Sequence, residues 1–584
     1  MPHPLSPLPA PRRPLPARSL ALALALFGAA ALLAACSLNP SPPAETAQAR
    51  RADAGVAAPA APPAPIAAPA PIAAAEASRL AALPQRKLAA TAHLMPPREP
   101  VALPAPVRDR YQAIDDNPVR RTTQDAVSTL SLDVDGASYA QVRRSLNQGR
   151  LPPRDAVRVE ELVNYFGYEG GQAVAGHPFA VQTEVAPAPW NPHNLLLRIG
   201  VRAVDRDMAS APPANLVFLV DVSGSMSAPD KLPLVQASLR QLVQRLRPQD
   251  KVTIVTYSGR TQLELPPTSG ADKAAIEAAI ARLQASGGTA GGQAIQLAYA
   301  QARAGFVAGG INRILLATDG DFNIGITDTR QLKDLVARER SSGVSLTTLG
   351  FGQGNFNDAL MDQLAAVGNG NYSYIDSLAE ARKVLGDELA ATFQTVAGDV
   401  KLQLEFNPST VAEWRLIGYE NRLLAEADFR NDAVDAVEVG AGKSVTALYE
   451  LTPVGQPTLM DARRYGSAAP AAAHGDEWGQ LKIRYKQPGH SRSVELSQVL
   501  PRTVSAQPGA DWKFASAVAG FGQLLRGGTH TGQWHYADAR ALAQEGLGAD
   551  ANGLRRDFVK LIDLAQSLTP AAAGQPSASA KIGG

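Results

Sequence analysis

The sequence predicts a multidomain protein of α/β plus β class. A central α/β domain lies between an N-terminal α+β extension and a C-terminal domain that is β-sandwich-like and partly helical. Between about residues 215 and 396, apolar strand-like runs alternate with helical segments, which indicates a parallel-rich sheet with helices on both faces. After residue 399, apolar residues alternate with period two, which is typical of a half-exposed antiparallel sheet.

The first 36 residues have the three parts of an export signal. A basic part contains Arg12, Arg13 and Arg18. An uncharged apolar stretch follows at 20–33 and ends in Leu-Ala-Ala-Cys36, which contains the sole cysteine of the chain. This ending resembles the bacterial lipoprotein signal, which implies that Cys36 is lipidated. A plain transmembrane helix is disfavoured, because the stretch is short for a bilayer and no second apolar segment follows it.

Lipid on Cys36 would anchor the protein, since each buried methylene contributes about 0.8 kcal/mol. Ser37 follows instead of Asp, which by resemblance to enterobacterial sorting rules favours the outer membrane. We therefore expect an exported protein of the cell envelope at the outer membrane, on its periplasmic side or its surface. Removal of the three arginines at 1–36 changes the formal charge from +2 to −1. Because no basic run with interleaved aromatics occurs either, we expect no nucleic-acid partner.

The elements flanking the central domain are predicted in chain order. The extension contains a strand at 128–135, helices at 137–148 and 155–166, and strands at 179–185 and 194–202. The C-terminal domain contains strands at 400–406, 444–451, 480–485 and 491–496, then helices at 511–525 and 536–568 with a break at Asn552-Gly553. Two isolated strands at 178–202 cannot form a stable sheet alone. We therefore expect them to join the strands beyond 399 in one β-sandwich, with the central domain inserted between.

The strands of the central domain are predicted at 216–221, 252–257, 313–318, 344–350 and 372–375, with a short edge strand at 262–265. Asp221-Val-Ser-Gly-Ser225 ends the first of them, Ser286-Gly-Gly-Thr289 opens a helical segment, and Asp319-Gly320-Asp321 follows a third strand. Open α/β sheets bind ligands at the carboxyl edge of their strands. Carboxylate and hydroxyl oxygens there would suit Mg²⁺.

Together the three loops resemble the metal-ion-dependent adhesion site of von Willebrand factor type A (VWA) domains. The resemblance implies a Rossmann-like VWA domain that binds Mg²⁺ or Mn²⁺. It implies that Ser223 and Ser225 coordinate the metal directly, and Thr289 directly or through water. Asp221 and Asp319 would act mainly through water. Three unrelated strand-end turns are the alternative interpretation.

Asp321 would either hydrogen-bond the side chains that coordinate the metal or cap its own loop. Asp133 and Asp135 alternate along a predicted strand, and we interpret both as solvated. Both ends of the inserted domain should lie together, opposite the metal edge, so that the site projects away from the sandwich.

Further motifs resemble the YfbK-type bacterial VWA lipoproteins. They are Leu132-Asp-Val-Asp-Gly-Ala-Ser-Tyr139, Arg150-Leu-Pro-Pro-Arg154, Val159-Glu-Glu-Leu-Val-Asn-Tyr165, Pro189-Trp-Asn191 and Gly442-Lys-Ser-Val-Thr-Ala-Leu-Tyr-Glu-Leu451. The resemblance spans about residues 110–568. The chain then divides into a lipoprotein signal at 1–36, an Ala/Pro-rich tether at 37–107, the extension at 110–205, the VWA domain at 213–397, the C-terminal domain at 398–568 and a disordered tail at 569–584.

Signatures of catalysis are missing from the sequence. Gly440-Ala-Gly-Lys-Ser444 imitates a phosphate-binding loop but lacks its first glycine and joins strand to strand, so we interpret it as a turn. No zinc-protease or nucleophile-elbow motif occurs. We therefore expect a non-enzymatic receptor that binds, through its metal, an acidic side chain of an unknown envelope protein. A self-assembling scaffold is the alternative, and a metal-dependent hydrolase using Asp321 as base is a weaker one.

Overall fold

A computed structural model describes residues 109–570, except 133–134, 172, 207–210, 289–291, 321–328, 389–393, 435 and 462–473. The signal with Cys36, the tether and residues 571–584 lie outside the described residues, and so do Thr289, Asp321 and Asp133. In the described part, no helix combines the length and apolarity needed to cross a bilayer.

The strands, numbered along the chain, are β1 Arg120–Arg121, β2 Val127–Ser131, β3 Phe179–Pro187, β4 Leu195–Ala203, β5 Ala214–Asp221, β6 Lys251–Tyr257, β7 Thr261–Ser269, β8 Ile311–Thr318, β9 Ser345–Gly350, β10 Tyr372–Tyr374, β11 Thr395–Phe406, β12 Val411–Ile417, β13 Val437–Gly440, β14 Ser444–Pro453, β15 Glu477–Lys486 and β16 Ser493–Pro501.

The α-helices are α1 Ala137–Asn147, α2 Val159–Asn164, α3 Leu232–Arg245, α4 Lys273–Arg282, α5 Gly292–Ala304, α6 Thr329–Arg340, α7 Asp358–Val367, α8 Leu378–Arg382, α9 Ala510–Leu525, α10 Tyr536–Glu545 and α11 Leu554–Leu568. A π-helical turn, Lys383–Glu388, continues α8.

The central sheet has the order β10-β9-β8-β5-β6-β7, in which only β7 runs antiparallel. Every residue of β5 is buried, because helices cover both faces of this strand. Leu216 and Phe218 pack into a core with α3, α4 and α8, whereas Val217 and Leu219 pack into a second core with α5, α6 and α7. The predicted α/β domain with helices on both faces is confirmed.

Two antiparallel sheets form a β-sandwich outside the central domain. One sheet has the order β1-β12-β14-β4-β3, and in the other β11 pairs with β15 on one side and with β2 and β13 on the other. Strand β4 pairs with β14 along its length, with Ile199 opposite Ala447. The expected union of strands 178–202 with strands beyond 399 is therefore confirmed.

A helical layer covers the outer face of the first sheet. Leu196 packs into an apolar core with α1, α2 and α9–α11, while its neighbour Leu197 packs into the core between the two sheets. This layer unites the two helices of the extension with the C-terminal helices, so they form one cover over the sheet.

Some local predictions need correction. Strands β1, β12 and β13 were not expected, and the predicted helix at 155–166 divides into a 3₁₀ turn at Arg154–Ala156 and the short helix α2. Asp135 is not solvated: it is buried, accepts a hydrogen bond from the Tyr372 amide and forms an ion pair with Arg422. The predicted turn at Gly440–Ser444 does join two strands, β13 and β14.

The described residues that flank the two connections of the inserted domain lie at the end of α3. The Arg247 guanidinium donates to the carbonyls of Ala211 and Pro212, each at 2.7 Å, just before β5. Before the other connection, in the π-helical turn, a Cβ added to Gly386 would meet the guanidinium of Arg245. Because β5 starts at this end and finishes at Asp221, the two connections lie opposite the carboxyl edge of the sheet, as expected.

Buried ion pairs fix the inserted domain against the extension. Arg158, ion-paired with Glu161, also binds Asp358 at 2.6 Å, and Asp358 accepts hydrogen bonds from Gln141 and Tyr372 at 2.7 and 2.6 Å. Such pairs add little net stability but specify one arrangement of the partners. The relative position of the two parts is therefore set by charge pairing as well as by apolar packing.

A buried carboxyl in α2 should make stability depend on pH. Burial and the nearby Glu420 carboxylate raise the pKa of Glu160 above its ordinary 4.5, and Glu160 Oε2 has no hydrogen-bond partner among the described residues. The folded state thus binds this proton more tightly than the unfolded state, so stability falls as pH rises from 4.5 through the folded pKa.

We expect Glu160→Gln to remove this loss. The melting temperature of the variant relative to that of the wild type should rise as the pH is increased from about 4.5 to about 8, measured by circular dichroism at each pH. Glu545→Gln on the exposed side of α10 controls for the exchange of carboxyl for amide. A difference between variant and wild type that does not change with pH would contradict the assignment.

Candidate metal centre

The carboxyl end of β5 places Asp221 at the base of the candidate site. Its Oδ1 accepts a hydrogen bond from the Ser223 amide at 2.9 Å, and its Oδ2 accepts one from the Thr318 hydroxyl at 3.1 Å. Asp221 is completely buried, so its carboxylate cannot reach solvent directly. It therefore serves to orient the loop that follows β5.

Two hydroxyls converge above Asp221. Ser223 Oγ and Ser225 Oγ form a hydrogen bond with each other at 3.0 Å; Ser223 is buried and Ser225 is exposed. Adjacent ligands of an octahedral Mg²⁺ lie about 3 Å apart, because each Mg–O bond is about 2.1 Å. The two predicted hydroxyl ligands are thus spaced as neighbouring ligands of one metal would be, and the site opens to solvent on the side of Ser225.

A close approach of two backbones brings the glycine loop to this site. The Gly224 amide donates to the Gly287 carbonyl at 3.0 Å, and the Ser286 amide donates to the Val222 carbonyl at 2.8 Å. A Cβ on Gly224 would lie 3.3 Å from the Gly287 oxygen, and Gly287 has a φ of +77°, which favours glycine. The predicted ligand Thr289 follows two residues later, outside the described residues.

Asp319, from the loop after β8, is buried beside the site. Its Oδ2 accepts a hydrogen bond from the Lys231 ammonium at 2.8 Å. The following Gly320 has a φ of +78°, and a Cβ there would lie only 2.6 Å from the Asn357 amide nitrogen. Glycine therefore lets this loop turn directly after the carboxylate. Sequence reasoning missed Lys231, whose only signal is a lysine just before α3, where a cation is disfavoured by the helix dipole.

The electrostatics of the site reflect its two buried carboxylates. Burial raises the pKa of Asp221 to about 6, with hydrogen bonds from Ser223 opposing the shift and the Asp319 charge adding to it. Burial and the same two carboxylates raise the pKa of Tyr257, at the carboxyl end of β6. A positive charge above Asp221 would stabilise its ionised form.

The donors that the structure brings together fit a hard cation. Within the described ranges, no three imidazole, thiolate or carboxylate side chains are grouped to hold a metal. A metal at this edge would therefore depend on hydroxyl oxygens, supplied by Ser223 and Ser225, with Asp221 and Asp319 behind them. Oxygen donors of this kind suit Mg²⁺ or Mn²⁺.

The extension reaches this edge of the sheet. Asp109 Oδ1 accepts hydrogen bonds at 2.9 Å from the amides of Gly354 and Phe356, in the loop that also contacts Gly320. From α1, Arg144 forms an ion pair with Asp230 in the loop that follows the two serines. These contacts with the metal edge were not predicted, although the β-sandwich itself lies on the side of the connections, as expected.

Comparison with known families agrees with this architecture. Residues 215–387 match the family model of the von Willebrand factor type A domain, and residues 105–198 match a model described as von Willebrand factor. Residues 391–568 match the model described as "Uncharacterized protein YfbK, C-terminal". The three matches cover most of the described chain.

Two curated relatives are similar over more than half of the chain. The "Uncharacterized protein YfbK" of Escherichia coli K12 is 49% identical over 469 residues, covering 79% of this chain and 81% of the relative. The "Uncharacterized protein sll0103" of Synechocystis is 26% identical, covering 55% and 73%. A solved structure, "von Willebrand factor type A from Catenulispora acidiphila", covers 67% of this chain and 92% of its own at 16% identity, but its TM-score of 0.38 supports no inference.

We expect Ser223→Ala and Thr289→Ala each to weaken Mg²⁺ binding at least about tenfold, since each removes an oxygen donor from the metal. Isothermal calorimetry measures the affinity, and circular dichroism should show an unchanged fold. Ser258→Ala, which removes a hydroxyl from the neighbouring β6–β7 turn, is the control. Wild-type affinity in the double variant Ser223→Ala/Thr289→Ala would exclude this site.

Proposed function

Because this chain belongs to the family of YfbK-like proteins with a VWA domain, we propose that it is a metal-dependent binding protein of the cell envelope. One observation carries the proposal: the Ser223 and Ser225 hydroxyls lie 3.0 Å apart at an edge that is open to solvent. The two carboxylates predicted to serve this site, Asp221 and Asp319, are both buried. The arrangement favours binding of an external ligand over a closed structural metal site.

The residues would divide their roles by position. Ser223 and Ser225 would hold Mg²⁺ or Mn²⁺ directly and Thr289 directly or through water. Asp221 and Asp319 would hold the metal mainly through water and also orient these hydroxyl donors. A metal with few directly bound carboxylates keeps much of its charge, so it supplies a Lewis-acidic position for an acidic side chain of a partner. The proposed partner is therefore an envelope protein that presents an aspartate or glutamate.

Hydrolysis would need a general base that is free to take a proton from water. Asp221 already accepts hydrogen bonds from Ser223 and Thr318, and Asp319 is held by Lys231. Asp221 and Asp319 are thus both engaged, which favours a binding role for them, while Asp321, the base that a hydrolase would use, lies outside the described residues. A self-assembling scaffold remains the competing proposal, and dependence on metal separates the two.

We also propose that lipid on Cys36 anchors the protein to the envelope, at the outer membrane. The support is the export signal, which ends in Leu-Ala-Ala-Cys36. The Ala/Pro-rich segment at 37–107 would then connect the anchor to the folded part. A partner at the VWA site would belong to the same envelope compartment.

We expect the purified protein to retain a specific partner from envelope extracts in Mg²⁺, to lose it in EDTA and to regain it when Mg²⁺ is restored. Ser223→Ala/Ser225→Ala should abolish retention even with Mg²⁺, because it removes two donors without altering a buried charge. Quantitative mass spectrometry of the eluates measures this, with Ser258→Ala as control. A partner that stays bound equally in EDTA and in the double variant would favour the scaffold.

We expect Cys36→Ala to move the protein from the membrane to the soluble fraction, because the anchor would be lost with the acylated thiol. Fractionation followed by immunoblotting after a high-salt wash measures the distribution. Ser37→Ala, one residue away, keeps the thiol and should leave the protein in membranes. If the Cys36 variant stays in the washed membranes, the anchor lies elsewhere.

A further inference from the structure

Lys231 places a positive charge against a carboxylate that the metal site would use. Its ammonium donates to Asp319 Oδ2 at 2.8 Å, and the side chains of Lys231 and Asp319 are only 14% and 4% exposed. Little solvent therefore screens this pair. Ordinary surface lysines, by contrast, form ion pairs that water and salt largely weaken.

The backbone around Lys231 confines its side chain. A Cβ added to Gly352 would lie 2.5 Å from both Cγ and Cε of Lys231, so the stem passes directly over this glycine. The Lys231 amide donates to the Ala228 carbonyl at 2.9 Å, and the adjacent Asp230 is paired with Arg144. The ammonium is thus directed at Asp319 from a fixed part of the chain.

We propose that Lys231 is a built-in counter-ion that competes with the divalent metal for Asp319. In the metal-free protein it neutralises one of two neighbouring buried carboxylates, Asp319 and Asp221. When a divalent cation binds, the two positive charges repel each other and share the same acceptor, so the ammonium must leave Asp319. This inference rests on the proposed metal site and assigns to Lys231 the role of weakening that site.

The exchange explains how the protein can keep its carboxylates together without a metal. Without Lys231, the buried Asp319 would face Asp221 with less compensation, and the metal-free state would be disfavoured. A divalent cation would then bind without having to displace the ammonium of Lys231. Removal of the ammonium should therefore tighten metal binding, which is the opposite of what loss of a supporting contact would do.

The test compares the Mg²⁺ affinity of the purified full-length wild type with that of Lys231→Met, by isothermal calorimetry. We expect the variant to bind Mg²⁺ at least tenfold more tightly. Lys231→Arg keeps the positive charge and should stay within a few-fold of the wild type. Lys333→Met removes the same charge from α6, where the ammonium contacts Gln363, and controls for net charge.

A second measurement uses the wild type alone, in case Lys231→Met folds poorly. Acetylation of lysines by a soluble active ester, followed by mass spectrometry, should label Lys231 faster in saturating Mg²⁺ than in EDTA. The rate at Lys333 should not change. Labelling of Lys231 that is unchanged or slower in Mg²⁺ would overturn the exchange.

The outcomes separate this inference from the function on which it rests. If the wild type binds no Mg²⁺ or Mn²⁺, the proposed metal site itself fails. If the wild type binds metal but Lys231→Met binds it equally or more weakly, the site stands and the role of Lys231 as a competitor is overturned. If Lys333→Met tightens Mg²⁺ binding as much as Lys231→Met does, the tightening comes from net charge, and the role of Lys231 as a competitor is overturned as well.

Discussion

The pairing of β4 with β14 is the constraint on which the rest of the structure depends. Strand β4 and its partner β3 form an isolated hairpin within the extension, and such a hairpin is marginal in water. Their sheet is completed only by strands from the other side of the inserted domain, where Ile199 meets Ala447. The two ends of the insert must therefore lie close together, and the described residues that flank them, Ala211 and Gly386, both lie against the end of α3, at Arg247 and Arg245.

That constraint brings the two ends of the insert together but does not by itself fix its orientation. The orientation comes from buried charges on α1 and just before α2 that contact the VWA domain. Arg158 binds Asp358, and Arg143 binds Asp376 and Glu380 at 2.9 and 2.8 Å. A rotated domain would leave these charges unpaired in the interior, at a cost of about 3–5 kcal/mol for each broken pair. Helix α1 also contacts the loop at the metal edge, through the ion pair of Arg144 with Asp230, so the position of the site depends on the extension.

Much of the fold could be predicted from the sequence, because local patterns of apolar and turn-forming residues determine it. The buried strand β5 is a continuous apolar run, and the loop that follows it has the residues a turn requires, so both its place and Asp221 could be predicted. Short edge strands escaped prediction, since two residues at Arg120–Arg121 contain no measurable period. The helix predicted from 536 ends earlier than expected, after Glu545, because Gly546 and Gly548 interrupt it before the break at Asn552-Gly553.

Charge pairs between segments that are distant in sequence could not be predicted, for a different reason. Lys231 and Asp319 are far apart in sequence, and only the packing of α3 beside β8 brings them within 2.8 Å. The exposed or buried state of Asp135 depends likewise on Arg422, from the far side of the insertion. Sequence patterns indicate which residues are apolar or turn-forming, but they do not indicate which charged side chains pair in the folded protein.

The placement of both connections opposite the metal edge has a mechanical consequence. A partner that pulls on Ser223 and Ser225 would load β5 along its own axis, from Asp221 back to the connection at Ala211. Strand β5 is hydrogen-bonded to β6 over Asn215–Asp221 and to β8 over Ala214–Val220. Under such tension these bonds are sheared together and do not peel apart one after another. The domain would therefore carry a load applied along β5 in shear, through all of these hydrogen bonds at once.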